Sequence, residues 1–319
     1  MKLPKTTFIT GGCGYIGKPT AYRLSQLGYR VVVYDIAPMR SFSESITYIK
    51  GDILDRERLR TAMKTVKPDI VIHLAALTSV SESEHNHALY EAVNVEGTKN
   101  ILSAMKFVGC KKILFSSSAS VYKDSLTPVS EKSAVQPTSY YGKTKELGES
   151  AIQKESGICS VILRYFNIVG STSDGLYGEM LENNSKLIPS AVRVGLGMDK
   201  NLKIYGHSYQ TKDGTTIRDY VSLEDVVRAN ILAVAYLTSH RSSLIANIGS
   251  GIGISNLEVV KIVETVLKKN ILLKIKKPRT ETVVSIADIK RARRNLLWGP
   301  KSSGIQSIVQ SYFPGDVTI

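Results

Sequence analysis

Along the first half of the chain, short apolar runs alternate with longer segments whose apolar residues return every three or four positions. The runs are Thr6–Thr10, Val31–Tyr34, Ile46–Lys50, Ile70–His73, Lys112–Ser116 and Ser160–Arg164, each of strand length. The periodic segments between them are Ile16–Leu27, Asp55–Thr65, Tyr90–Phe107 and Ser139–Lys154, each long enough for a helix. Strand–helix alternation of this length predicts an α/β fold with a doubly wound parallel sheet of Rossmann type. After Gly170 the rhythm breaks into glycine-rich and polar loops up to about Tyr220. Two helices with capping boxes are expected next, Ser222 with Asp225 and Ser255 with Glu258, and a strand-like "IANIG" (Ile245–Gly249) lies between them. The layout predicts a first lobe over residues 1–170, completed by about 221–249. A smaller, discontinuous α/β lobe would be built from 171–220 and 250–319. There is no internal repeat and no low-complexity tract.

Composition narrows the classes. With 319 residues, 43% of them hydrophobic, the chain can bury a large core, yet no apolar run is long enough to span a bilayer. The N-terminus runs almost directly into a strand-like segment and leaves no room for a signal peptide, so a cytoplasmic protein is expected. Cys13, Cys110 and Cys159 are far apart, odd in number and without metal spacing, which fits reduced thiols; the five histidines do not pair at zinc-site spacing either, so no metal is expected. The formal charge of +14 is concentrated late, in Lys268–Arg279 and Lys290–Arg294. Without aromatic interleaving or a recognisable RNA-binding pattern, this stripe reads as a solvated face or a field attracting anionic substrates, and no nucleic-acid partner is expected.

The first strand-to-helix turn carries chemistry. "FITGGCGYIGKPTAYRLSQLG" places Gly11, Gly14 and Gly17 between an apolar strand and an amphipathic helix. Glycine there allows the turn, lets backbone N–H groups approach a pyrophosphate, and lets the helix close on the sheet. Asp35 ends the next strand about twenty residues on, where a carboxylate accepts hydrogen bonds from an adenosine ribose and repels a 2′-phosphate, so NAD is preferred over NADP. Asp52, just past the third strand, is a candidate for the adenine amine; Asp55 reads better as a helix cap. A second stretch, "PTSYYGKTKE", holds Tyr141 and Lys145 four residues apart on one helical face. A phenol with a pKa near 10 is a poor base at neutral pH unless a nearby cation favours its phenolate. The spacing alone leaves a surface pair and a tuned phenol both open.

From about Lys5 to Trp298 the chain resembles the extended short-chain dehydrogenase/reductases, and within them the UDP-glucose 4-epimerases. The matching stretches are GGCGYIG, HLAAL, NVEGT, FSSSASVY, YYGKTK, LRYFNIVG, IYGHSYQTKDGTTIRDYV and NIGSGIGISNLEVV, of which Y-x-T-x-D-G-T-x-x-R-D-Y is the most specific. The resemblance implies that Tyr141 is the catalytic acid/base, that Lys145 lowers its pKa and holds the nicotinamide ribose, and that Ser118 bonds the 4-oxygen of the sugar. It also implies cofactor contacts from Tyr15, Ile16, Ile53, Asn94 and Tyr165. The UDP portion of a UDP-hexose would be bound by Asn167, Leu187, Tyr205, Arg218 and Arg279, the arginines offering paired donors to a diphosphate. The implied reaction is a 4-epimerisation through a transient 4-keto sugar, in a homodimer built on Ser139–Lys154 and Tyr90–Phe107, with Leu89, Val93, Leu102 and Met105 as candidate apolar surface. Ser285, two residues before Ala287-Asp288, falls where a small residue admits an N-acetyl group, which extends the expected substrates to UDP-N-acetylglucosamine.

Several positions depart from the family pattern. Thr78 stands for a lysine, Lys123 for a glycine, Lys186 for Asn or His, and Glu281-Thr282 for Gly-Asp. A UDP-uronate epimerase or decarboxylase remains an alternative, with Lys123 or Lys186 as the extra cation. A 4,6-dehydratase lacks its acid pair in "SSSASVY". A non-catalytic NAD sensor of the same fold would typically have lost the tyrosine or the lysine.

Overall fold

The computed structural model describes residues 5–38, 44–179, 181, 186–278 and 281–313. The chain opens with β1 (Thr6–Thr10), α1 (Gly17–Gln26), β2 (Arg30–Asp35), β3 (Ile46–Lys50), α2 (Arg56–Val66) and β4 (Ile70–His73). Two short turns of helix follow, α3 (Val80–Ser83) and α4 (His87–Tyr90), then α5 (Gly97–Val108), β5 (Lys112–Ser118), α6 (Tyr140–Lys154) and β6 (Cys159–Tyr165). The later half contributes β7 (Asn167–Val169), α7 (Leu187–Gly195), β8 (Leu202–Tyr205), β9 (Ile217–Ser222), α8 (Leu223–Ser239) and β10 (Leu244–Ile248). Last come β11 (Gly253–Ser255), α9 (Asn256–Leu267), β12 (Leu273–Lys276), β13 (Val284–Ser285), α10 (Lys290–Leu296) and α11 (Ile305–Gln310).

Seven strands form one parallel sheet in the order β10-β6-β5-β4-β1-β2-β3. Successive side chains of a strand point to opposite faces, so Ile9, Val31 and Val33 enter the core under α1 and α8. Phe8, Val32 and Tyr34 enter the core under α2, α5 and α6. Both faces are covered, which is why the strands read as continuous apolar runs. The strand order reverses between β1 and β4, and a crevice opens there beyond the carboxyl ends of the strands. A second sheet joins β11, β9 and β13, with β7 also paired to β9, and β8 pairs with β12. A third core of α7, α9 and α11 packs against these strands. Among the described residues no helix is long and apolar enough to cross a membrane.

Two sequence expectations are corrected. The single helix over Tyr90–Phe107 is instead α4, a π-helical turn over Glu91–Glu96, and α5. Asn94 within the turn holds the loop after β4, accepting from Leu77 N at 2.9 Å and donating to Leu77 O at 3.0 Å. Gly97 lets the helix close on Ile53, whose Cδ1 would lie 2.5 Å from any Cβ there. The second correction concerns caps. Ser255 and Glu258 form a reciprocal box, but at α8 only Ser222 caps, accepting from Asp225 N. The Asp225 carboxylate turns away to accept from Lys301 N, Ser302 N and Ser303 Oγ, fastening the chain after α10 to α8.

Candidate active site

The glycine turn sits on the switch point. Gly11 has a positive φ of 71°, and a Cβ there would lie 2.5 Å from Ala75 N. A Cβ on Gly17 would lie 2.2 Å from Gly11 O, so both positions require glycine for close backbone approach. A Cβ on Gly14 would meet only Gly11 O, at 3.3 Å, leaving the space above the turn open toward the N-terminus of α1. Asp35 ends β2 beside this turn, its carboxylate accepting from Cys13 N at 2.8 Å and Ala37 N at 2.9 Å. An open cradle of N–H groups with a fixed carboxylate at one end fits a dinucleotide. Asp52 caps its own turn by accepting from Leu54 N at 2.9 Å, and Ile53 is buried against Gly97. Asp55 caps α2, as the sequence predicts, accepting from Arg58 N at 3.0 Å.

Tyr141 and Lys145 occupy the first turns of α6, a helix started by Ser139, whose hydroxyl accepts from Gly142 N. Gly142 is needed there because a Cβ would lie 2.2 Å from Ser120 O. Burial pushes the Tyr141 phenol up to about 12, and the Ser118 hydroxyl nearby opposes the shift. Lys145 Nζ donates to Ser116 O at 2.9 Å and lies 6.0 Å from the centre of the Tyr141 ring. Burial lowers Lys145 to about 8, while Glu149 pulls it back upward. Tyr140 points elsewhere: its ring stacks on His87 at 3.8 Å and its hydroxyl donates to Glu91. The helix thus separates two adjacent tyrosines that the sequence leaves alike.

A cavity of about 1080 Å3 brings most of the predicted residues together. Gly11, Gly14, Tyr15, Ile16 and Gly17 line one end, and Ser118, Tyr141 and Tyr165 the middle. Asn167, Leu187, Tyr205 and Arg218 line the other end. Asn94 and Lys145 support the lining from behind, Asn94 donating to Thr144 Oγ1 at 3.0 Å. The Tyr165 hydroxyl donates to Asn230 Oδ1 at 2.6 Å, so its ring, not its oxygen, is offered to the cavity. Ser285 pairs in register with Arg218 on β13 and is not part of the lining. Arg279 lies outside the described residues.

The departures from the family pattern also have places. Thr78 lines the cavity. Lys186 lines it too, but its Nζ lies 2.5 Å from Glu179 and donates to Ile168 O. Lys123 is exposed and outside the lining. Glu281 approaches Arg218 at 2.7 Å, and Thr282 donates to Asp124 at 2.6 Å. Sequence reasoning passed over Glu281 as a partner, and over Lys200 and Lys203, which join the lining near Tyr205. Their signal, one lysine before and one within a four-residue strand, is too common to single out. Among the described residues no group of His, Cys, Asp or Glu could hold a metal ion.

A sheet of this order with a Tyr-x-x-x-Lys pair at its switch point defines the short-chain dehydrogenase/reductase class. Within it the chain belongs to the NAD dependent epimerase/dehydratase family, which residues 7–249 match. Among curated proteins, a UDP-glucose 4-epimerase from Rhizobium meliloti is 35% identical over 301 residues, covering 92% of each chain. Among solved structures, UDP-glucose 4-epimerase from Brucella ovis in complex with NAD superposes with a TM-score of 0.90 at 34% identity, covering 96% of this chain and 97% of that one. The enzyme from Stenotrophomonas maltophila, with bound NAD and formylated UDP-arabinopyranose, gives 0.88 at 31% identity and 96% coverage of both chains.

Proposed function

We propose that the protein is an NAD-dependent UDP-hexose 4-epimerase that interconverts UDP-glucose and UDP-galactose. The carrying observation is the continuity of one cavity from the glycine turn, past Ser118 and Tyr141, to Asn167, Leu187, Tyr205 and Arg218. Such a cavity suits a dinucleotide and a nucleotide sugar meeting end to end at a phenol. NAD held at the glycine turn would supply the hydride acceptor and donor for C4 of the sugar, and a positive charge that lowers the phenol. That second contribution matters because the chain's own burial pushes Tyr141 upward. Tyr141 would take the proton of the sugar 4-hydroxyl as C4 loses hydride, and return it to the same 4-oxygen when hydride comes back to the opposite face of C4, with Ser118 donating to that oxygen. Lys145 holds the ribose and keeps a positive charge beneath the phenol. Asn94 fixes the loop at Leu77 on which the cofactor rests. Asp35 receives the adenosine ribose and excludes a 2′-phosphate, and Asp52 and Ile53 face the adenine.

Arg218 anchors the diphosphate, its guanidinium pre-set by donation to Ile217 O and Val283 O. Arg279 is proposed as its companion. A firm hold on UDP with few polar contacts to the hexose lets the ketose turn over without escaping. The extension to UDP-N-acetylglucosamine rests on Ser285, a small residue beside Arg218 in register. Residues 1–170 with 221–249 are proposed as the NAD lobe, and the remainder as the UDP-sugar lobe. A reducing, cytoplasmic setting fits three free cysteines.

Homodimerisation through α4–α6 is proposed on Leu89, Phe107 and Leu147, which are 49%, 46% and 37% exposed. Leu102 and Met105, expected at that surface, are claimed by the core instead. A mass of one chain in light scattering at micromolar concentration would refute the dimer. The reaction itself is tested by incubating pure protein with UDP-glucose, UDP-galactose, UDP-N-acetylglucosamine and UDP-glucuronate and identifying products by NMR. Inversion at C4 without added oxidant is expected for the hexoses. Conversion of the glucuronate alone would move the assignment to a uronate enzyme.

A further inference from the structure

One turn beyond Lys145 on α6 lies a carboxylate that the proposed reaction leaves unused. Glu149 is 3% exposed, and both of its oxygens are engaged. Arg164 of β6 donates from Nε to Oε1 at 2.9 Å and from Nη2 to Oε2 at 2.6 Å, and Ser117 Oγ donates to Oε1. Arg164 is itself 3% exposed, with its guanidinium 4.8 Å from the centre of the Tyr122 ring. Stability is a weak reason for such a pair, because apolar residues of like volume serve a core as well or better. Its position gives a stronger one.

Ser117 is the middle of three consecutive residues on β5. Ser116 before it receives Lys145 through its carbonyl, and Ser118 after it lines the cavity with Tyr141 and favours its phenolate. Ser117 shares its face of the strand with Phe115, against which Gly148 of α6 packs so closely that a Cβ would lie 2.8 Å away. Glu149 therefore binds α6 to β5 at the one residue flanked by both contacts of the Tyr–Lys pair. Through Arg164 it binds the same point to β6.

We infer that Glu149 is a positioning residue for the Tyr141–Lys145 pair, holding α6 in register with β5 through Ser117 and placing a buried negative charge beside the lysine. The inference rests on the roles proposed for that pair. The groups packed around Lys145 leave the carboxylate without a rival. His73 on β4 is kept neutral, burial lowering it to about 3, and the Phe115 ring lies 5.2 Å from Nζ. Tyr141 is a neutral phenol one turn earlier, and Arg164 stands on the far side of Glu149. Burial favours the uncharged amine, and Glu149 opposes it.

The test is the pH profile of kcat for Glu149→Gln, Glu149→Asp and the double variant Glu149→Gln/Arg164→Met, with Tyr141→Phe alongside. The double variant avoids leaving Arg164 as an unpaired buried cation. Loss of the negative charge lowers Lys145 further, so the alkaline limb of kcat moves to lower pH, by on the order of one unit in Glu149→Gln and by less in the double variant, which also loses the Arg164 cation. Glu149→Asp keeps the charge but shortens the tie, so its limb stays while kcat falls on the order of tenfold. KM for the UDP-hexose changes less than about twofold throughout, since neither residue lines the cavity. An unmoved limb in both Gln-containing variants, with Tyr141→Phe inactive, overturns this inference alone. Full activity in Tyr141→Phe overturns the catalytic roles beneath it as well.

Discussion

Replacing Tyr141 with phenylalanine removes one oxygen from a side chain that is only 8% exposed. The ring keeps its packing. Ser118, which loses the phenol, still accepts from Ser120 N and donates to Ser120 Oγ, both at 3.1 Å, so no buried polar group is orphaned. The stability cost is therefore about 1 kcal/mol, which for a chain of this size lowers Tm by no more than about 3 °C. The kinetic cost is of another order. A positioned acid/base contributes about 10²- to 10⁴-fold, so kcat falls by that factor, equivalent to roughly 3–5 kcal/mol of barrier. Dinucleotide content and affinity for UDP stay near those of the parent protein, because the lost atom serves only proton transfer. Tyr140→Phe is the control, since its hydroxyl meets Glu91 at the surface and should change kcat by less than about twofold. The assay follows UDP-galactose conversion through a UDP-glucose dehydrogenase that reports each product as NADH. Equal losses in the two variants would refute the assignment of Tyr141.

NAD is expected to co-purify, detectable after acid release, and Asp35→Asn should narrow the preference for NAD over NADP by about tenfold by removing repulsion of a 2′-phosphate. A protein that carries no dinucleotide and binds NADP more tightly would contradict both halves. Ser285→Tyr should depress turnover of UDP-N-acetylglucosamine while sparing UDP-glucose; an equal loss on both substrates counts against any role of Ser285 in admitting the N-acetyl group. Burial lowers Lys145 from 10.5 to about 8, so on raising the pH the folded protein releases this proton before the unfolded chain does. Relative to Lys145→Met, stability should therefore rise between about pH 8 and 10.5, by on the order of 3 kcal/mol, and denaturant melts at the two ends of that window would show it. A constant difference would mean that the lysine is not buried as a cation.

The inner strands of the large sheet were legible because they are buried on both faces, and Thr6–Thr10 and Ile70–His73 have the bounds their apolar runs predict, as does the partly exposed edge strand Ile46–Lys50. The strands of the smaller sheets were not. β7, β11 and β13 are two or three residues long, too short for any periodicity, and exist only because β9 offers edges to pair with. Within the site, glycine spacing located the turn because backbone contact dictates glycine at Gly11 and Gly17. The resemblance offered Arg218 as a cation for a diphosphate and the fold sets it in the cavity lining, but its partner Glu281 was not legible, since their side chains meet across 63 residues. Lys186 was a candidate cation for a uronate, and the fold places Glu179 against it.

The π-helical turn at Glu91–Glu96 has a consequence for insertion and deletion. Such a turn holds one residue more than an α-helix needs over the same rise. Deleting one residue there would regularise the helix and leave the segments on either side in phase, but residues inside the turn would shift round the axis. His87 would keep Tyr140 and Tyr90 would keep Ser79 O, while Asn94 would no longer meet both Leu77 and Thr144. The extra residue is thus what aims Asn94 at both partners. The residue count of the turn, more than its composition, carries the information that seats the loop after β4 beside the phenol.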